Sequence, residues 1–82
     1  MMITPDEAVD FGEELVADLN LLREHAESGR LPLGAEEFAE EVQEKVEGIV
    51  EWIDTESHVT EKQDAALRGI RGGVDRWLER VR

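Results

Sequence analysis

Three amphipathic segments, two short polar connectors and the absence of strand-like alternation predict an all-α protein: an antiparallel up-down-up three-helix bundle, one domain over residues 1–82. The middle segment shows the pattern most fully. From Ala35 to Ile53 its apolar residues are Ala35, Phe38, Ala39, Val42, Val46, Ile49, Val50 and Ile53, the i, i+3, i+4, i+7 spacing of one helical face. Glu36, Glu37, Glu40, Glu41, Glu44, Glu47 and Glu51 fall on the other side, answered within the segment only by Lys45. The apolar stripe is what the chain folds around. The carboxylate stripe is the surface it offers.

The first helix is expected at about residues 5–28. Thr4 serves as N-cap, Pro5 takes the first helical position where its missing N–H costs nothing, and Glu7 closes a capping box. Ile3 and Ala8 are placed for a small hydrophobic staple, and Asp6 and Glu7 suit the positive end of the helix dipole. The core face reads Ala8, Phe11, Gly12, Leu15, Leu19, Leu22 and Ala26, with Val16 on its flank. Val9 and Leu21 lie off it and read as ordinary scattered apolar residues. Gly29 is the natural C-cap, and residues 30–34 form the connector.

The second helix is expected at residues 35–54, entered through Leu33 or Gly34. Its pairs 36/40, 37/41, 40/44 and 47/51 set like charges one turn apart, and each costs a few tenths of a kcal/mol at roughly the scale of an i,i+4 ion pair. Interleaved lysines would have gained where this face loses, so the stripe is a candidate for selection as a binding surface. A plain solvated face is the competing reading. Trp52 stands at the border between the two stripes, as core edge packing or as an anchor beside the acids.

After the linker 55–58, Thr60 caps a third helix at residues 60–81 with Gln63 as its box partner. Its core face is Ala66/Leu67, Ile70, Val74, Trp77/Leu78 and Val81. Gly69, Gly72 and Gly73 share a flank with Ala65, and each mid-helix glycine costs about 1 kcal/mol relative to alanine. Such a flank admits a neighbouring helix of the same bundle, marks a bend, or forms a self-association surface for a homodimer. Arg68 and Arg71 edge one side of the core, and Lys62, Arg76 and Arg80 the other; all are expected to lie over it and pair with acids of the first two helices.

Charge limits the partners. Asp plus Glu number 21 against 9 Lys plus Arg, a net of −12. That field repels nucleic acid and anionic lipid, which argues against direct binding to either, and attracts a basic protein. The excess is uneven: residues 1–58 hold 17 acids and 3 bases, residues 59–82 hold 4 and 6, so the last helix is drawn to the first two. A salt-adapted source is another explanation, since 7 Arg accompany 2 Lys, although Glu outnumbering Asp 15 to 6 weighs against it.

No chemistry-bearing motif emerges. With no cysteine, neither disulfide nor thiolate metal site is available. A di-iron bundle would require Glu three residues before a histidine, but Leu22 precedes His25 and Thr55 precedes His58 at that spacing. Glu51, Asp54 and His58 are the one weak candidate cluster for a metal. No serine has a base and an orienting acid in view, and no glycine-rich loop follows a strand. The expectation is a non-enzyme without catalytic residues, cofactor or metal. The start of the chain lacks the basic and apolar regions of a secretory signal, and no apolar run approaches the roughly 20 residues needed to cross a bilayer, so a cytoplasmic location is expected.

The run Thr60-Glu61-Lys62-Gln63 with Ala66, Leu67, Ile70, Gly73, Trp77 and Leu78 is similar to closing helices of small uncharacterised bacterial and phage proteins. That resemblance implies no activity. The function expected is therefore an acidic protein-interaction module whose partner-binding residues are Glu36, Glu37, Glu40, Glu41, Glu44, Glu47, Glu51 and Trp52. In its sharpest form it is a nucleic-acid mimic that inhibits a nucleic-acid-binding protein, as a phage or anti-defence inhibitor would. The alternative is a structural or oligomerising domain that packs through Ala65, Gly69, Gly72 and Gly73.

Overall fold

Helix starts in this chain follow its capping residues. Thr4, in extended conformation, accepts the Glu7 backbone N–H at 3.2 Å and opens α1 (Pro5–Glu27). The Glu7 carboxylate accepts a hydrogen bond from the Thr4 hydroxyl at 3.0 Å rather than from the backbone N–H of a full capping box. Thr60 opens α3 (Glu61–Glu79) with the complete box: its hydroxyl accepts from Gln63 N–H at 3.1 Å, and the Gln63 side-chain oxygen accepts from Thr60 N–H at 3.0 Å. The structure, a computed structural model, describes residues 3–82, and the first two residues of the expected domain lie outside the described ones. The described residues hold three helices and no strand.

α2 (Leu33–Glu56) extends two residues past each expected end. Pro32 sits at the N-cap without a side-chain hydrogen bond, and its carbonyl accepts from Ala35 N–H at 2.9 Å, so Leu33 and Gly34 join the first turn. At the other end Thr55 and Glu56 remain helical. Ser57 stops the helix in the left-handed region (φ 52°), its N–H bonded to Ile53 O at 2.8 Å. The α1 terminus is the more usual kind: Gly29 takes φ 81° just after the C-cap Ser28. α3 closes two residues early because Arg80 and Val81 bond back three residues, to Trp77 and Leu78.

The largest fully buried side chains come from all three helices: Leu15, Leu19 and Leu22; Val46 and Ile53; Leu67 and Val74. Each stabilises the fold by about 1.5–3 kcal/mol of transfer free energy. Two further core members come from the connectors, Leu31 at 5% exposure and Val59 at 3%. Among the described residues no charged or polar side chain is fully buried. α1 is the central element, packed most extensively on α2 and less on α3, while α2 and α3 meet chiefly through Phe38 and Trp77. The opposite charge of the chain's two ends therefore shows as docking of α3 chiefly on α1. The packed helices measure 40 × 21 × 17 Å.

Glycine sets the closest approach. A Cβ built on Gly12 runs into Val50 Cγ2, so α1 and α2 meet there because position 12 has no side chain. α3 runs unbroken through its three glycines. Gly73 alone among them faces another helix, with the Phe38 ring 3.0 Å from a built Cβ; Gly69 and Gly72 face open space. The expectation of one continuous small-residue contact flank is thus corrected. The flank serves packing at Gly73 and nowhere else along it.

Candidate functional site

The acidic side of α2 follows from its periodicity. With the apolar stripe turned to α1, Glu37, Glu40, Glu41, Glu44, Glu47 and Glu51 are exposed and Glu36 is half-buried. Lys45 answers Glu41 at 4.0 Å with both side chains largely in solvent, a pairing of little energetic weight. Gln43 donates its amide to Glu47 at 2.8 Å and leaves its own buried oxygen without a partner. Trp52 is on the solvent side, 41% exposed beside Glu51, with its ring centroid 6.3 Å from that of His58.

The arginines of α3 go elsewhere. Arg71 is clamped between Asp18 of α1 (2.6 Å) and Asp75 of its own helix (2.7 Å). Burial lowers the Arg71 pKa, and the hydrogen bonds that its guanidinium donates to Asp75 and Asp18, with their negative charges, outweigh that effect and raise it above its usual value. Arg68 pairs with Asp64 at 3.1 Å within α3. Arg76 donates to the Gly72 carbonyl at 3.4 Å, and Arg80 stacks over Trp77 at 4.5 Å from the ring centroid. The expectation that these cations would neutralise acids of both other helices is corrected. Among the described residues one such pair reaches α1, and none reaches α2. Geometry explains this, since α3 meets α2 through the apolar contacts of Phe38 with Gly73 and Trp77, away from the exposed glutamate row.

Arg30, Arg80 and Arg82 gather where the ends of α1 and α3 meet, lining one shallow depression with Val81. Beside it Phe38, Trp77 and Arg76 line a second, the two rings 6.3 Å apart.

A larger groove runs between α1 and α2, about 530 Å³, which sequence periodicity did not single out. Its floor is Val9, Gly12, Val16 and Val50, and its rim is Glu13, Glu47, Glu51 and Asp54. Val9 is thus no scattered surface residue. It lies off the centre of the α1 core stripe because it faces this groove. The signal available beforehand was the heptad step from Val9 to Val16, on the flank that also carries Gly12 and Glu13.

No known protein family, curated protein or solved structure matches this chain. What the site can do rests on its residues. Among those described, no three His, Cys, Asp or Glu side chains stand together to hold a metal ion. Of the weak sequence candidate, Glu51 and Asp54 line the groove while His58 lies against Trp52. No described helix is long and apolar enough to cross a membrane. Ala65 is exposed beside the open positions Gly69 and Gly72.

Proposed function

We propose that this chain is a small acidic interaction module that presents the carboxylate face of α2, from Glu36 to Glu51 with Trp52 at its edge, to a basic protein partner. In its sharper form the face competes with nucleic-acid phosphates for a nucleic-acid-binding protein, acting as an inhibitor by mimicry. The observation that carries this reading is that the glutamate row stays in solvent with Lys45 as its one cationic neighbour, although α3 has arginines to offer. A face meant only to be neutralised internally would have been built within their reach. Residues 36–51 span about 22 Å at 1.5 Å rise per residue, and their seven glutamates approach the linear charge density of one nucleic-acid strand.

The same reading makes the protein a cytoplasmic non-enzyme with no cofactor, folded as one domain with an up-down-up course. Three registers support that course. Gly12 lies against Val46 and Val50, Phe11 lines a depression with Leu67, and Gly34 faces Trp77. Titration against basic nucleic-acid-binding proteins across a salt series tests the function. Affinity is expected to fall as salt rises and to be abolished by the triple substitution Glu40→Lys, Glu44→Lys, Glu47→Lys. Affinity indifferent to both removes the proposal.

A second reading, self-association through Ala65, Gly69 and Gly72, is favoured by the open space over those two glycines. Sedimentation at rising concentration tests it. A monomer at every concentration, unchanged by Gly69→Leu, eliminates it.

A further inference from the structure

We propose that the groove between α1 and α2, floored by Val9, Val16 and Val50 and rimmed by Glu13, Glu51 and Asp54, receives one face of a basic amphipathic helix from a partner protein. This rests on the acidic-module reading and deepens it, moving the point of attachment from the outer glutamate row to a concave site with an apolar base.

The two antiparallel-facing stripes leave a trough that α3 does not cover, since α3 lies against α1 on the side of Phe11 and Asp18. Gly12 brings the walls close enough for Val50 to join the α1 valines in one floor. Val9 and Val16 are two turns apart, about 10 Å at 1.5 Å per residue, which suits apolar residues spaced i, i+3, i+7 along an incoming helix. None of Glu13, Glu51 or Asp54 has a cationic partner among the described residues, so lysines or arginines flanking that apolar stripe would meet free carboxylates on both banks. The charge also selects the occupant. A second copy brings another −12, and nucleic acid or anionic lipid is repelled likewise, whereas a basic polypeptide is attracted. The rim supplies encounter and orientation, and the valine floor supplies residence.

The test uses the full chain and two synthetic helical peptides of identical leucine and lysine content. One gathers its leucines on a single face; the other spreads them around the helix. Binding is followed by NMR shift mapping at fixed salt. The expected result is at least about tenfold tighter binding of the one-faced peptide, with the largest shifts at Val9, Gly12, Val16 and Val50. Val9→Glu separates the physical causes, because it adds negative charge while removing floor. Groove docking predicts about tenfold weaker binding of the one-faced peptide to this variant, and attraction to charge alone predicts stronger binding. Equal affinity for both peptides, with shifts confined to Glu36–Glu44, overturns the groove and leaves the acidic module standing. Absence of binding by either peptide overturns both. The peptide comparison on the unsubstituted chain decides the matter even if Val9→Glu fails to fold.

Discussion

The two flanks of α1 handle acid in opposite ways. On the side facing α3, Asp18 is held 2.6 Å from Arg71, which is held in turn by Asp75. On the side facing the groove, Glu13 stands opposite Glu47, Glu51 and Asp54 with no cation between the banks. Composition alone treats these carboxylates as one excess. Their placement separates a charge that joins two helices from charges that no cation of the described residues answers.

Substitutions can break or sharpen that contrast. The largest effect is expected at Gly12, where Gly12→Leu forces α1 and α2 apart against Val50 and destabilises the fold by about 3 kcal/mol, read from denaturant midpoints. An unchanged midpoint would mean that the groove is not set by this contact. Gly69→Ala should stabilise by up to about 1 kcal/mol in the same assay, because it gains helix propensity in open space. Gly73→Ala should gain less, since its Cβ presses on Phe38 at 3.0 Å.

On the paired flank, a double-mutant cycle of Arg71→Ala and Asp18→Ala should give a coupling of about 0.5–1 kcal/mol. Both side chains keep partial solvent contact, so the coupling should shrink with salt. Zero coupling at low salt would erase the distinction between the flanks. Smallest of all, Glu40→Lys should raise stability by a few tenths of a kcal/mol, roughly the value of i,i+4 pairs with Glu36 and Glu44. A stability gain coupled to lost partner affinity would separate folding from binding on that face.

Much of this arrangement was legible beforehand. The helix starts at Thr4 and Thr60 are local hydrogen-bond chemistry, and Leu15, Leu19, Val46 and Leu67 are buried because periodicity places them together. Leu31 and Val59 carry no period to read, because a connector is too short to repeat one; of the two connector leucines Leu31 is buried and Leu33 is exposed. α2 reaches two residues past each approximate end, since Pro32 caps without a side-chain hydrogen bond and Ser57 takes a left-handed turn that glycine normally signals. Gly12 could be put on the core face from a helical wheel. What approaches it is a property of another helix, absent from any local pattern. For the same reason Val9 looked incidental until α2 was in position beside it.

Arg30, Arg80 and Arg82 share one shallow depression where the end of α1 meets the end of α3. Like charges gathered there repel one another, so added salt relieves that corner of the molecule while it weakens the Arg71–Asp18 pair on the flank of α1.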